Sequence, residues 1–380
     1  MDVERPEDPA GRPVTEPPQG AAPPPGEAPS GEAATGEAAP PAGGPPDTVP
    51  RAGAVADGTA DPDAAVVIDG VRKHFGDDVA VDSISLTVRT GTILGVIGPS
   101  GSGKTTTIRL LTGALAPTEG QVRVLGEDPR LFRRRTRERI GYMPQQFTLY
   151  PDLTARENVD FVASLFGMLW RTRHRRTREV LQLVELWDAR GRRAGRLSGG
   201  MQRRLELACA LVHDPDMLFL DEPTAGIDPI LRTKIWQELH RLRDGGRTLL
   251  VTTQYVNEAE ECDTVALISG GRLIALAPPD EIRRAAMGGD IVEIRTANPF
   301  DGAAIADLPI VHSAEQRGPN ELRVRVDDAS TAMPEVVEAI TQRGGEVASA
   351  NEARTSFDEV FAILVQRDRV AHGTESDEAA

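Results

Sequence analysis

The sequence predicts an α/β fold with an open, mostly parallel sheet, and three observations predict it. First, residues 98–105 read GPSGSGKT and follow a strand-like apolar run over residues 92–97. Second, residues 217–220 are all apolar, which is typical of a strand buried on both faces. Third, the strand-like segments 248–252 and 264–268 enclose a predicted helix. In such a sheet we expect ligands at the carboxyl ends of the strands.

The segment 98–105 matches the phosphate-loop pattern G-x-x-x-x-G-K-[ST] in a strand–loop–helix context. Its glycines let successive N–H groups point into one concavity, and the positive end of the following helix favours phosphate. Lys104 adds a charge for the β- and γ-phosphates, and the Thr105 hydroxyl can bind Mg²⁺. We therefore predict a nucleoside triphosphate site. Its residues are Gly98, Pro99, Ser100, Gly101, Ser102, Gly103, Lys104, Thr105 and Thr106.

Bulk composition narrows the class of protein. The formal net charge of −15 argues against broad nucleic-acid binding, which needs a basic surface. Cys209 and Cys262 are too few for a disulfide framework, which indicates a reducing cytoplasm. No apolar run approaches the roughly 18 to 20 residues that span a bilayer, and we see no signal peptide. We expect a soluble protein whose membrane role requires a partner.

The 380 residues predict two domains and two tails. Residues 1–62 hold 15 of the 29 prolines and no aromatic residue, which predicts a disordered acidic tail. A docking or membrane-surface role for this tail is the alternative. We predict a nucleotide-binding domain over 66–288, a small α+β domain over 289–368 and a second disordered tail over 369–380. The predicted elements of the small domain are strands 291–294 and 322–326 and helices 331–343 and 356–366.

Two further motifs follow the phosphate loop, LSGGMQ at 197–202 and MLFLDEPT at 217–224. The order and spacing of the three resemble the nucleotide-binding domain of ABC transporters across roughly residues 66–285. The resemblance implies a P-loop NTPase of the ABC ATPase type, with an α/β core, an antiparallel β subdomain and an α-helical subdomain. The ligands that it implies are ATP and Mg²⁺. The helical subdomain would contain residues 153–190, which are helical in character.

The resemblance also assigns roles around the γ-phosphate. Asp221, at the end of a buried strand, would hold the hydration shell of Mg²⁺. Glu222 would polarise the attacking water as a general base. Gln145 matches the Q-loop glutamine, which reaches metal and water and connects the core to the helical subdomain. The implied metal-binding residues are Thr105, Gln145 and Asp221.

A second group of residues serves the opposite subunit if the family arrangement holds. The start of the helix after residue 198 would face the γ-phosphate held by a second copy of the chain. Each site would then be composite, so the chain would need to dimerise to hydrolyse ATP efficiently. The residues of this group are Ser198, Gly199, Gly200, Gln202 and the D-loop aspartate Asp228. Phe75 falls where the family stacks an aromatic ring on adenine, although a lone aromatic residue fits a core position equally well.

Gln254 occupies the switch position, where the family usually has histidine. Its amide can donate a hydrogen bond to a phosphate oxygen, but it cannot carry a proton. Loss of activity is the pessimistic alternative.

Three features resemble the ATPase subunits of type-2 ABC exporters, including the daunorubicin-resistance group. They are Gln254 at the switch position, YPDLTAREN at 150–158 and SFDEVF at 356–361. Such subunits pair with a separate polytopic permease at the cytoplasmic face of the membrane and export drugs or other amphiphiles.

Three rival interpretations remain. An importer ATPase shares every core motif, and only the subgroup features oppose it. A translation-factor ATPase carries two sets of motifs, and a DNA-repair ATPase has a long coiled coil between phosphate loop and signature.

The Arg-rich runs at 133–137 and 171–176 fit a solvated helix face, with a permease or headgroup contact as the alternative.

Overall fold

The computed structural model describes residues 63–371, which form thirteen β-strands and nine α-helices. The predicted tail over 1–62 and residues 372–380 lie outside the described residues. No helix of the described part is long and apolar enough to cross a membrane. In chain order the elements are β1 (Ala64–Phe75), β2 (Asp78–Arg89), β3 (Ile93–Ile97), α1 (Lys104–Leu111), β4 (Glu119–Val124), α2 (Arg134–Arg137), β5 (Ile140–Met143), α3 (Ala155–Leu165), α4 (Trp170–Leu183), α5 (Gly199–Leu211), β6 (Met217–Asp221), α6 (Pro229–Asp244), β7 (Thr248–Thr253), β8 (Thr264–Ser269), β9 (Arg272–Ala277), α7 (Pro279–Met287), β10 (Asp290–Thr296), β11 (Val311–Gly318), β12 (Glu321–Val326), α8 (Ala329–Gln342), β13 (Val347–Glu352) and α9 (Phe357–Ala371).

The central sheet has the strand order β5-β6-β7-β3-β8-β9. All neighbours are parallel except β9, which pairs antiparallel with β8. Strands β3, β6 and β7 are buried along their whole length, as their apolar sequences predict. They are adjacent, so the segments that follow them meet at one edge of the sheet. The α/β fold class is confirmed.

A second, antiparallel sheet has the order β2-β1-β4. Its inward side chains, among them Ile84 and Leu86, share a core with Ile108 and Leu111 of α1. This core lies behind the helix that follows the phosphate loop. The antiparallel subdomain therefore packs against α1, the helix that follows the phosphate loop.

Helices α3, α4 and α5 pack together through Val159, Leu181 and Leu205, each fully buried. The predicted helical region over 153–190 is thus two helices, separated near Gly167. That residue has φ +69°, a backbone conformation that interrupts a helix at little cost only for glycine. A third helix, α5, completes the subdomain and begins at the signature motif.

The C-terminal region has a four-stranded antiparallel sheet, β11-β12-β10-β13, with α8 packed on it. Helix α9 packs elsewhere. Its buried residues Phe357, Val360 and Leu364 belong to the core that contains the central-sheet strands. It lies against α7, β9 and a 3₁₀ segment, Val256–Glu261. That short 3₁₀ segment stands where the sequence predicts a helix between β7 and β8. The boundary between residues 288 and 289 stays a prediction, and α9 extends beyond the predicted end at 368.

Candidate nucleotide-binding site

The phosphate loop connects the buried strand β3 to α1, and glycine is required at two of its positions. A Cβ on Gly98 would come within 2.1 Å of the Ile268 carbonyl oxygen. Gly103 has φ +102°, and a Cβ there would come within 2.4 Å of the Ala80 carbonyl oxygen. No side chain caps the first turn of α1. The N–H groups at the start of this helix are therefore available to an anion.

Lys104 is the first residue of α1 and is only 5% exposed. Its Nζ donates to the carbonyl oxygens of Gly98 at 2.8 Å and Pro99 at 2.9 Å. Burial lowers the pKa of Lys104 below the usual lysine range, while the charges of Glu222 and Asp221 oppose that shift. The ammonium group thus lies at the phosphate loop, near the carboxylates of Asp221 and Glu222 at the end of β6.

The predicted metal-binding residues lie around the same edge. The Thr105 hydroxyl and the Gln145 side-chain oxygen are 3.4 Å apart. Asp221 is fully buried; its Oδ1 accepts a 2.5 Å hydrogen bond from the Thr252 hydroxyl. Its Oδ2 is buried and has no hydrogen-bond partner among the described residues. An orphaned buried carboxylate oxygen on Asp221, together with the paired Thr105 hydroxyl and Gln145 amide oxygen, fits the oxygen ligands and ligated waters of Mg²⁺.

Glu222 follows β6 in a constrained backbone conformation. Its φ of +55° lies in the left-handed region, which costs a non-glycine residue on the order of 1 kcal/mol. The Glu222 N–H donates to the carbonyl oxygen and the hydroxyl oxygen of Thr252 at 3.1 and 3.0 Å. Its carbonyl accepts from Arg203. The backbone of the half-buried Glu222 is thereby held by hydrogen bonds at both its N–H and its carbonyl.

Gln254 directly follows β7, and its side chain is exposed. The residues before it, Thr252 and Thr253, are buried, and Thr253 accepts a hydrogen bond from the Tyr255 N–H at 3.0 Å. In the sheet, Ile97 pairs with Thr253 and β7 lies between β6 and β3. The phosphate loop, the pair Asp221–Glu222 and Gln254 therefore follow three adjacent strands. The catalytic role of Gln254 stays a prediction.

The signature residues lie at the start of α5. Ser198 caps α5 through a hydrogen bond from the Met201 N–H, and Ser198 and Gly199 are exposed. No hydrogen bond within residues 63–371 joins Ser198, Gly199 or Gly200 to the phosphate loop. A Cβ on Gly200 would come within 3.0 Å of the Gly226 carbonyl oxygen, so the signature and D-loop segments are neighbours.

Two predicted residues of the second group have structural partners within the chain. The Gln202 amide donates to the Ala194 carbonyl oxygen at 3.1 Å. Asp228 caps α6 by accepting a hydrogen bond from the Leu231 N–H at 3.0 Å. Phe75 is 48% exposed at the end of β1, with Lys73 Nζ 5.2 Å from the ring centroid, so the ring is not a core residue. Nucleotide contacts of Gln202 and Phe75, and an interface role for Asp228, stay predictions.

The sequence analysis missed the buried ion pair of α5, Arg203 and Glu206. Arg203 is 7% exposed and Glu206 is 3% exposed, and Arg203 Nη1 lies 3.0 Å from Glu206 Oε2. Arg203 contacts the backbone at the end of β6 and after β5. Thr252 was also missed as a partner of Asp221. The signal for the pair was present in the sequence: Glu206 is the one charged residue of the otherwise apolar segment 205–211, and Arg203 lies three residues before it.

Comparison with known proteins agrees with this geometry. Residues 81–225 match the family ABC transporter, and residues 278–365 match the family ATP-binding protein DrrA1-3-like, C-terminal domain. Daunorubicin resistance ATP-binding protein DrrA3 of Streptomyces coeruleorubidus is 37% identical over 310 residues, 81% of this chain and 98% of that protein. Nod factor export ATP-binding protein I of Burkholderia lata is 41% identical, over 63% of this chain and 79% of that protein.

A solved structure is similar in fold as well. It is a dimeric ATP-binding cassette in a post-hydrolysis state, bound to ADP and Pi. The TM-score is 0.53 at 30% identity, covering 56% of this chain and 98% of that chain.

Proposed function

We propose here which transport system this chain serves. The premise is that the chain belongs to the ATP-binding subunits of ABC transporters and is an ATP hydrolase coupled to transport. ATP brings two copies of the chain together, and hydrolysis drives a separate polytopic permease that exports drugs or other amphiphiles. One observation carries the ATPase chemistry: the phosphate loop, the pair Asp221–Glu222 and Gln254 follow three adjacent strands of one sheet.

The chemistry follows from the residues at that edge. The N–H groups of the loop and Lys104 bind the phosphates. Mg²⁺, held by Thr105 with Gln145 and Asp221, would neutralise phosphate charge. Glu222 accepts the proton of the attacking water, and the Gln254 amide donates a hydrogen bond to the γ-phosphate. The buried ammonium of Lys104 and the constrained backbone of Glu222 support these roles.

The exposed start of α5 supports a composite site. Ser198 and Gly199 face solvent, although most of α5 is buried. A helix N-terminus that faces solvent can bind a phosphate held by another molecule. A second copy of the chain supplies that phosphate in the proposed dimer, with Asp228 beside the interface. Dimerisation by ATP then makes hydrolysis depend on protein concentration.

The permease contact and the direction of transport rest on the C-terminal region and on the helical subdomain. The C-terminal match to the DrrA1-3-like family and the export and resistance named for the two relatives support export. Leu165, Leu169 and Trp170 are 66%, 79% and 70% exposed around the α3–α4 turn, which supports a protein contact there. An importer ATPase is the second candidate. The proposed location is the cytoplasmic face of the membrane, and no nucleic acid is involved.

A transport assay tests the export proposal. Inverted membrane vesicles that contain the chain and its co-purifying membrane protein should accumulate daunorubicin, the probe, when ATP is added. Vesicles with the Glu222→Gln variant are the control and should accumulate none above background. Purification of the tagged chain without any polytopic membrane protein, or drug accumulation that is independent of ATP, would contradict the proposal.

A further inference from the structure

Arg203 connects two segments of the candidate site that are distant in sequence. Its Nε and Nη2 donate to the Glu222 carbonyl oxygen at 3.0 and 2.9 Å, and Nη2 also donates to the Asp221 carbonyl oxygen. Its Nη1 donates to the carbonyl oxygens of Pro144 at 2.5 Å and Gln145 at 3.1 Å. One side chain thus holds the backbone of the predicted general base and of the Q-loop glutamine.

Glu206 makes this connection stronger. Its Oε2 accepts from Arg203 at 3.0 Å, and its Oε1 accepts from the Thr148 N–H at 3.0 Å. Burial raises the pKa of this carboxyl. The pair therefore binds the segment after β5 at three backbone positions: Pro144, Gln145 and Thr148.

Stability alone does not explain a buried pair of this kind. The desolvation of two charges offsets much of their attraction, so an apolar pair of similar volume is often as stable or more so. A guanidinium fork, however, fixes the directions of several hydrogen bonds at once. The left-handed backbone of Glu222 needs such external restraint to persist.

The position of Arg203 on α5 adds the functional link. It lies three residues after Gly200, one helical turn below the exposed start of the helix that begins after Ser198. A short helix turn transmits displacement rigidly. A shift of the signature residues would therefore move the donor of the hydrogen bonds to Glu222 and Gln145.

We propose that Arg203 is a positioning residue that couples the signature end of α5 to the backbone of Glu222 and Gln145 in the same subunit. The inference rests on the proposed composite dimer. ATP held by the partner subunit engages the start of α5, and Arg203 passes that engagement to the general base of its own subunit. The two sites of the dimer then hydrolyse ATP cooperatively.

The test compares Arg203→Lys with Arg204→Lys in the full chain. Lysine keeps the charge but cannot reach both backbone segments with a fork. Arg204 is the matched control, since it is the next residue of α5 and donates instead to the Val184 and Glu185 carbonyls. The measurements are kcat, KM and the Hill coefficient for MgATP, with Kd for ATP by fluorescence and Tm for folding.

For Arg203→Lys we expect kcat to fall about 100-fold, the effect of misplacing a reacting group by about 1 Å. The Hill coefficient should approach one. The Kd for ATP should stay within about threefold, because Lys104 and the phosphate loop are untouched. Arg204→Lys should match the parent in all of these.

A double variant, Arg203→Met with Glu206→Leu, separates positioning from folding. It should still fold, with a lower Tm than the parent, because the apolar pair leaves no unpaired buried charge but leaves backbone groups at Glu222, Pro144 and Thr148 without partners. It should show the same loss of kcat and cooperativity at a temperature where it is fully folded, with ATP affinity retained. A parent-like kcat and Hill coefficient in either variant would overturn the inference, as would a loss of ATP affinity as large as the loss of kcat. A parent that hydrolyses no ATP, or never dimerises with ATP, would instead refute the proposed function.

Discussion

Two helix N-termini in this protein are built differently, although family resemblance gives each a phosphate to bind. Helix α1 begins at the buried Lys104, and its N-cap residue Gly103 provides no side-chain cap. Helix α5 begins at Gly199, the hydroxyl of its N-cap residue Ser198 caps it, and both of these residues are exposed. Lys104 lies beside the first terminus, near Asp221 and Glu222, whereas Arg203, which follows the second terminus, donates to backbone carbonyls of its own chain. The difference teaches that phosphate binding and completion of the proposed dimer are separable properties.

The largest expected effect concerns the carboxylate next to the first terminus. Glu222→Gln should reduce ATP hydrolysis about 100- to 10,000-fold, the contribution of a general base. It should leave ATP binding intact, because the phosphate loop and Lys104 are unchanged. ATP should then trap a dimer that gel filtration detects. Glu179→Gln, on the surface of α4, is the control. Hydrolysis by Glu222→Gln at the parent's rate would mean that another group is the base.

The switch glutamine tests the chemistry at the same edge. Gln254→Ala should lose about 100-fold in rate, about 2.7 kcal/mol, as for removal of one transition-state hydrogen bond. Gln254→His should retain activity, because imidazole also donates. A glutamine does not titrate, so its own contribution should be flat between about pH 6 and 8, whereas the histidine variant should gain a pH dependence. Asn257→Ala, an exposed amide in the following segment, is the control. Full activity of Gln254→Ala would leave this residue a structural role only.

Lys104 tests the first terminus itself. Lys104→Ala should weaken ATP binding about 10- to 100-fold, measured as Kd, because a charge-assisted contact to phosphate is lost. Lys234→Ala removes a surface lysine paired with Glu185 and should change nothing. Because burial lowers the Lys104 pKa, its positive charge is present at low pH and is lost earlier than for an exposed lysine as pH rises. The parent's ATP affinity should therefore fall at high pH. Unchanged affinity in Lys104→Ala would contradict the site.

The smallest effect belongs to the second terminus. Ser198→Ala removes a hydroxyl from the exposed start of α5. Loss of one hydrogen bond from this hydroxyl to the partner's phosphate, worth about 1 kcal/mol, should weaken ATP-dependent dimerisation about fivefold. ATP affinity of the single subunit should not change, since Ser198 has no hydrogen bond to the phosphate loop. Analytical ultracentrifugation with and without ATP measures the dimer. Ser164→Ala on α3 is an exposed control. Equal dimerisation of the parent and Ser198→Ala would remove the hydroxyl from the interface.

The local sequence pattern was sufficient to assign the residues that follow strands to one candidate site. One apolar run ends at Ile97 and another at Leu220. Parallel strands place their carboxyl ends at one edge, so Lys104 and Glu222 could be assigned to one site. The glycines of the loop could be predicted as well, because the pattern itself requires their backbone freedom. What local pattern could not predict was how these groups are held. The Thr252 hydroxyl contacts Asp221 only because β7 lies beside β6 in the sheet.

The sequence by itself determined the fold class and the motif residues of the site, because strand burial, loop geometry and helix starts depend on neighbours along the chain. Tertiary structure alone decided the partners of Arg203, which lie 19 and 59 residues away at Glu222 and Pro144. It also decided that α9 packs on the central core and not on the C-terminal sheet. An amphipathic helix specifies that one of its faces must be covered, but only the assembled chain specifies which surface covers it.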